Sequence, residues 1–537
     1  MMNERIYIFD TTLRDGQQSP GAGMSFEDNI TYAHYADELG IDILEAGFPS
    51  ASQYDFDIVH TISKVMSEKK SSMTIAGLCQ LRKEQVIRTM EALAPSLSIS
   101  KARLHTYVPV DPNLMKASLG QLAQNHAQII VDVYDLVRMA ANSGFEVEFS
   151  PEGYSRLCEN FDFTTDVIRA AISAGATVIN CPDTIGGASR FEGKMFFVEH
   201  IKQHAAMMKK EFPEKKIIWS VHCHNDLGLA LENSMTAVFD GPVRQIEGCI
   251  NGVGERAGNV ALEQCIMMIE QFGKKVNPNT PFVTHIQFNH LKKISNFIDE
   301  RMLTRQPHWP ITGQNAARHS SGGHTNAILK NPMVYQPFNP QQVGQEISFA
   351  FGPLSGSNHA SEILENHGFH CPRNEKSTVT QSIKDQFANR RKGITDEEVI
   401  EGFREHYSPI KVTQIDYSKD QAGNSTLHLQ GKFFSEKEMN LKTYGKNSAL
   451  AALDQAVKKY FPAIEIIDYH SNSCGENSVN ALCQATITVC VKQSDQYIGK
   501  AIDADINIAA IKAYINAINQ AYVNSYYKTI KKEAHCA

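Results

Sequence analysis

The 537-residue chain contains no apolar run approaching the length of a bilayer span, and its opening, Met1-Met2-Asn3-Glu4-Arg5, has no apolar signal core. A spanning helix needs about 20 apolar residues, so the expectation is a chain that neither crosses a membrane nor is exported. No basic block occurs either. With 52 Lys and Arg against 59 Asp and Glu, the net charge is -7, which lacks the electrostatic footprint of a nucleic-acid binder. The eleven cysteines are scattered, with no Cys-x-x-Cys pair. An odd count without a framework fits reduced thiols in a cytoplasm rather than a disulfide scaffold.

What is present is a soluble globular composition, 42% hydrophobic and 21% charged. The length exceeds one ordinary core, so a large catalytic domain with at least one smaller domain is expected. The chain is organised around Ser220-Val221-His222-Cys223-His224-Asn225-Asp226, which follows the apolar run Ile217-Ile218-Trp219. Side chains two apart on a strand share a face, so His222 and His224 project together while Cys223 turns away. Paired imidazoles near carboxylates suit a divalent metal. By itself the pair fits ordinary core hydrogen bonding equally well.

The rest of the first half favours the metal. Apolar, β-rich runs are expected near 6–10, 43–47, 73–79, 102–108, 146–150, 177–181, 217–222 and 245–249, with amphipathic segments between them. One such segment, 25–39, opens with the capping-box pattern Ser25-x-x-Asp28. Eight βα units in roughly 250 residues match an α/β fold of the (β/α)₈ TIM barrel type, ahead of an open doubly wound sheet. In such a barrel, chemistry sits at the carboxyl ends of the strands. Those ends carry Arg14-Asp15, Glu45, His105-Thr106, Glu152, Asp183-Thr184, the His222/His224 pair and the loop Asn251 to Asn259. The glycines at 252, 254 and 258 form no dinucleotide fingerprint or P-loop. They read as a tight loop that brings Asn259 to the rim.

The run Phe9-Asp10-Thr11-Thr12-Leu13-Arg14-Asp15-Gly16-Gln17-Gln18-Ser19-Pro20-Gly21 resembles the opening signature of the α-isopropylmalate synthase and homocitrate synthase family. His222 to Asp226 and Asn251 to Asn259 resemble its second signature. The resemblance implies one divalent metal ion (Zn, Mn or Mg) on Asp15, His222, His224 and Asn259, acting as a Lewis acid on a chelated 2-oxo acid. It implies that Arg14 steadies a developing oxyanion, that Thr184 binds the acid's carboxylate, and that His105 and Thr106 meet the substrate. Glu152 aligns with the family glutamate near the acetyl methyl group. The residues after it, Gly153-Tyr154-Ser155-Arg156, depart from the usual Asp-Ala-x-Arg, and an altered pocket shape is the expectation. The implied reaction is condensation of acetyl-CoA with 3-methyl-2-oxobutanoate to 2-isopropylmalate, in leucine biosynthesis. Alternatives are a sister enzyme using pyruvate or another 2-oxo acid, an acyl-CoA lyase, or a non-catalytic sensor.

The expected domains are a catalytic barrel over 1–273, linker and lid over 274–400, and a regulatory α+β domain over 401–537. Lys274 to Pro281 reads as linker, followed by a helical pattern through Ile286, Leu291, Ile294, Phe297 and Ile298. His324 and Tyr335 match a family His and Tyr that serve proton transfer, commonly in a neighbour's site within a homodimer. At 411–416, 426–434 and 438–443, then 447–460, a βββα order appears, and it recurs at 464–470, 482–492, 496–502 and 506–522. The family's leucine-sensing domain has this duplicated form, so leucine or another effector is expected there. The stretches Gly445 to Ser448 and Gly499 to Asp505 are expected as glycine-poor turns before the helices. Bulkier residues there obstruct backbone approach to a small ligand, so altered leucine inhibition is expected.

Overall fold

The computed structural model describes residues 3–98, 102–157, 160–302, 305–388, 393–434, 436–446, 448–474, 482–491 and 495–528. Eight parallel strands close a barrel in sequential order. They are β1 (Tyr7–Asp10), β2 (Ile43–Glu45), β3 (Thr74–Gln80), β4 (Ala102–Pro109), β5 (Glu146–Glu152), β6 (Val178–Asp183), β7 (Ile218–Cys223) and β8 (Val243–Gly248). β1 closes the ring by pairing with both β2 and β8. The expected eight-stranded barrel is therefore present, with strand ends shifted by a few residues.

Local signals explain the helices around it. The helix Phe26–Leu39 starts in a complete capping box between Ser25 and Asp28 and stops at Gly40, whose φ is 85°. A side chain at Gly40 would meet the His285 carbonyl oxygen at 2.8 Å, so glycine serves both the left-handed turn and the close approach. The expected linker is shorter than 274–281, because the preceding helix runs through Val276. The strand Phe282–Val283 then pairs with Glu4–Arg5. The helix Leu291–Met302 buries Leu291, Ile294, Phe297 and Ile298, and Phe297 meets the Tyr35 ring edge-on at 5.2 Å.

Strand alternation sorts the barrel wall. Leu104, Val147, Phe149, Ile179, Val221 and Ile246 are fully buried in the main apolar core. Between them on the same strands stand Arg103, His105, Glu148, Ser150, Asn180, Ser220, His222, Gln245 and Glu247, all buried as well. The second set joins in hydrogen bonds across the barrel. Arg103 Nη1 donates to Glu148 Oε2 at 2.9 Å and to Gln245 Oε1 at 2.7 Å. Gln245 Nε2 donates to Glu148 Oε1 at 2.8 Å and Ser220 Oγ at 2.9 Å. The interior is thus a polar layer with nearly every valence met, surrounded by an apolar one.

Among the described residues, one compact unit runs to Ala317 and includes Gln336–Ile347; the second comprises Arg318–Tyr335 and the chain from Ser348. The second unit carries two three-stranded antiparallel sheets. Their strands are β9 (Ile410–Lys419), β10 (Asn424–Phe433) and β11 (Glu436–Lys446), then β12 (Ile464–Cys474), β13 (Leu482–Val491) and β14 (Asp495–Asp503). The helices Ala449–Lys458 and Ile506–Tyr527 follow them, which is the duplicated βββα order. Both expected turns are shorter than read. Gly445 and Lys446 end β11, Asn447 lies outside the described residues, and Ser448 caps the helix. Residues Gly499–Asp503 belong to β14, and Asp505 caps the last helix. A side chain at Gly499 would stand 2.0 Å from the Ala513 carbonyl oxygen. That glycine is needed for helix-on-sheet packing.

Arg103 holds the lower polar layer together. Replacing it with methionine strands Glu148, whose carboxyl burial already pushes up to about 7. Unfolding in urea should show Arg103→Met destabilised by about 3–5 kcal/mol. Adding Glu148→Gln should restore part of the loss.

Candidate active site at the barrel mouth

Arg14 and Asp15 follow β1 in a turn whose backbone amides both donate to the Thr11 carbonyl oxygen, at 3.0 and 2.9 Å. The Arg14 guanidinium is thereby aimed into the mouth, and each of its nitrogens meets a different carboxylate. Nε donates to Glu45 at 2.6 Å, Nη1 to Asp15 at 2.6 Å and Nη2 to Glu247 at 3.2 Å. Burial works against the ionised Asp15 carboxylate. The charges of Arg14, His222 and His224 outweigh it and hold that carboxyl well below the usual range.

His222 leaves the end of β7, and His224 lies just beyond it, bridged to Asn259. Their Nε2 atoms face each other at 3.2 Å. Ligand atoms of Asp15, His222 and His224 all lie within 4.8 Å of one another. The Asn259 amide donates to Asp15 Oδ1 at 2.7 Å. Its own Oδ1 is buried without a hydrogen-bond partner among the described residues, as is His224 Nδ1. Two imidazole nitrogens turned together beside a carboxylate and an orphaned amide oxygen fit a divalent ion of mixed N/O ligation. Glu247 sits behind His222, 3.2 Å from Nδ1, where it orients the ring so that Nε2 faces the cluster.

A hydrogen-bonded chain supports this cluster from below. His105 Nδ1 pairs with Glu45 at 2.7 Å, and its Nε2 lies 2.7 Å from Ser150 Oγ. Asn180 Nδ2 donates to Ser150 at 3.0 Å and to Glu247 at 2.8 Å. Burial lowers the His105 pKa, but Glu45 outweighs it and raises the value to about 9. The signal for Glu247 and Asn180 was strand alternation itself. Polar Gln245-x-Glu247 inside an apolar strand marks the inward face.

Residues 5–298 match the HMGL-like family, a stretch that holds the whole barrel and every side chain just described. The chain belongs to the HMGL-like family. Residues 311–392 match the homocitrate synthase post-HMGL domain, and 393–522 match the LeuA allosteric (dimerisation) domain. A 2-isopropylmalate synthase of Prochlorococcus marinus (strain MIT 9301) is 33% identical over 537 residues, 96% of this chain and 93% of the relative. One from Caulobacter sp. (strain K31) is 33% identical over 532 residues, 96% and 94% of the two chains. Among solved structures, an HMG-CoA lyase from Brucella melitensis aligns at 17% identity with a TM-score of 0.44, over 56% of this chain and 100% of that one. This HMGL-like chain is a condensing enzyme of the acyltransferase type.

The mouth of this HMGL-like barrel is a cavity of about 200 Å³, lined by Arg14, Asp15, His105, Glu152, Thr184, His222 and His224 among others. Thr184 Oγ1 accepts from the Gly153 amide at 2.9 Å, which leaves its own proton free to donate. Glu152 is half-buried, makes no side-chain hydrogen bond among the described residues, and is raised by burial. Thr106 takes the opposite face of β4, beside the Cys79 thiol and Thr89, and the lining comes from His105 and Tyr107 instead. Alternation makes that placement unavoidable, so the expected contact of Thr106 with substrate is corrected.

The unusual residues after Glu152 also point elsewhere. Tyr154 Oη bonds His204 at 2.6 Å, Ser155 donates to Asp183 at 2.7 Å, and Arg156 pairs with Asp111 at 2.8 Å. None of the three lines the cavity, so the departure shapes the loop and leaves the pocket wall alone. His324 and Tyr335 belong to the second compact unit, where their rings stack at 3.8 Å. Asp15, His222, His224, Asn259, Arg14, His105, Glu152 and Thr184 are thus brought together within the barrel unit.

Two outcomes follow from this geometry. Wild-type protein titrated with Zn, Mn or Mg should bind one equivalent, whereas Asp15→Ala and His224→Ala should bind at least about 100-fold more weakly. His105, raised from an ordinary 6.5 to about 9, contributes stability that is full below 6.5 and lost as pH rises through 9. Urea midpoints measured across that window should fall in wild type, and the slope should flatten in His105→Gln.

Proposed function

We propose that the chain condenses acetyl-CoA with a 2-oxo acid, 3-methyl-2-oxobutanoate foremost, to give a 2-alkylmalate and free CoA. The observation that carries this reading is the convergence of Asp15, His222 and His224 beside Arg14, across one cavity from the unpaired carboxyl of Glu152. The names of the relatives and the matched family support it.

A divalent ion held by Asp15, His222, His224 and Asn259 would supply Lewis-acid polarisation of the ketone. The charges suit that arrangement. Three carboxylates, Asp15, Glu45 and Glu247, face two cations, Arg14 and the protonated His105. A divalent cation would offset the excess negative charge of this cluster, so that the carboxylate of a 2-oxo acid can be held there. The Thr184 hydroxyl donates to that carboxylate. Phe48, Leu78 and Pro182 in the lining favour an aliphatic chain, and Arg14 and Arg256 are both engaged with protein carboxylates. A second substrate carboxylate therefore finds no unpaired arginine or lysine in the lining among the described residues.

Glu152 removes a proton from the acetyl methyl group, and its raised pKa makes it a stronger base than an exposed glutamate. The resulting carbanion attacks the ketone carbon, forming the carbon–carbon bond. Arg14 donates hydrogen bonds where charge gathers on the former ketone oxygen, which then takes a proton. Water cleaves the thioester and CoA departs as the thiol. The match to a dimerisation domain supports a homodimer, in which His324 and Tyr335 complete a partner's mouth as proton carriers. The same domain is read as the effector-binding part, with leucine as the first candidate.

CoA thiol release with a panel of 2-oxo acids tests the reading. The branched acid should be preferred over pyruvate and 2-oxoglutarate; no release with any of them overturns it. Glu152→Gln should lower kcat by about 10²–10⁴ while metal affinity is unchanged. Because the base must be ionised, kcat/KM should rise with pH along a limb lying above the ordinary glutamate range.

A further inference from the structure

We infer that Tyr154, hydrogen-bonded through His204 to Thr165, is a positioning residue: it pins the turn that follows β5 and so fixes where the Glu152 carboxylate stands. The inference rests on the proposed role of Glu152 as base and adds the residues that place it.

A base that takes a proton from a methyl group must be held closely in place, since a displacement of about 1 Å can cost about 100-fold in rate. The Glu152 carboxyl has no hydrogen-bond partner of its own among the described residues, so the backbone on either side of it sets its place. On one side β5 pairs with β4, and the Val110 amide donates to the Glu152 carbonyl oxygen at 2.8 Å. On the other side Gly153, at φ 78°, turns the chain out of the strand, and its amide donates to Thr184 Oγ1 at 2.9 Å. The short helical turn Tyr154–Arg156 follows, closed by the Arg156 amide on the Gly153 carbonyl oxygen at 2.9 Å. Ser155 and Arg156 tie this turn to Asp183 and Asp111, beside the ends of β6 and β4.

The Tyr154 side chain runs away from the cavity and into the helical layer outside the barrel. Tyr154 and His204 are fully buried, and Thr165 nearly so. Tyr154 Oη lies 2.6 Å from Nδ1 of His204, on the helix Phe197–Glu211. His204 Nε2 lies 2.9 Å from Oγ1 of Thr165, on the helix Phe161–Ala174. The order of protons along this chain is fixed. The Thr165 hydroxyl donates to the Phe161 carbonyl oxygen at 2.9 Å, so its oxygen accepts from His204 Nε2. Burial pushes the His204 pKa down to about 4, which keeps the ring neutral and leaves Nδ1 to accept from Tyr154. The Phe161 ring stacks on the imidazole at 4.4 Å and holds its plane. A phenol anchored to two helices out of solvent, with each proton committed, holds a turn more firmly than an exposed contact does.

The test uses metal-loaded, full-length protein and reads turnover together with amide hydrogen exchange. Tyr154→Phe should lower kcat about tenfold without changing metal affinity. The same substitution made in Glu152→Gln should change kcat by less than about twofold, because no base is left to place. His204→Gln, which can still accept from Tyr154 and donate to Thr165, should keep at least about fivefold more kcat than His204→Leu. In Tyr154→Phe the Arg156 and Leu157 amides, bonded to the Gly153 and Tyr154 carbonyl oxygens, should exchange faster, and those of β5 and β6 at the wild-type rate. Wild-type kcat in Tyr154→Phe overturns the inference, as does an equal fold-loss in both backgrounds, which marks a general structural defect. Exchange that quickens throughout the barrel, or His204→Gln falling with His204→Leu, overturns it too. A wild type that releases no CoA thiol with any 2-oxo acid defeats the proposed reaction, while exchange at residues 156 and 157 still decides whether Tyr154 holds the turn.

Discussion

One guanidinium among three buried carboxylates is the constraint on which the barrel mouth depends. Arg14 touches Asp15, Glu45 and Glu247 at once, and each comes from a different strand end. Buried carboxylates this close would otherwise neutralise by taking up protons. Arg14 lets Asp15 and Glu45 stay ionised despite burial. An ionised Asp15 can serve as a metal ligand, and an ionised Glu45 keeps His105 protonated. Most of the charge pattern follows from that one side chain.

The barrel makes such a pattern possible because closed strands leave inward positions with no solvent to satisfy them. Polar residues there must satisfy one another across the ring. Arg103, Glu148, Gln245 and Ser220 do so deep in the barrel. His105, Ser150, Asn180 and Glu247 do so one layer higher, beneath the mouth. The lower layer fixes the strands and the upper one fixes the ligand side chains. Glu152 and Thr184 stand apart from both networks, with a carboxylate and a hydroxyl proton that have no partner among the described residues, and those are the groups the proposed chemistry calls on.

Much of this was legible in the chain. The barrel strands emerge within a few residues of where apolar runs place them, because buried parallel strands read as near-continuous hydrophobic stretches. The start of the helix Phe26–Leu39 is written in Ser25 and Asp28, and the duplicated βββα order is visible in alternation alone. The pairing of His222 with His224 follows from a two-residue period. Thr106 illustrates the opposite case: it sits next to His105 in sequence and on the other side of the wall in space. Gly499 to Asp503, expected to open a turn, continues the strand through its pairing with β13.

The amino-acid order by itself determined the elements, their sequence and which residues share a face, since these depend on periodicity, capping and burial of apolar surface over short stretches. It also determined that Asp15, the imidazoles and Asn259 would be available near strand ends. Only the closed tertiary structure decided that Glu247 backs His222, that Arg14 spans three carboxylates, and that Tyr154 reaches His204. Those relations join residues as much as 233 positions apart across an enclosed interior of low dielectric. Their strength comes from separations of about 3 Å that no local pattern encodes.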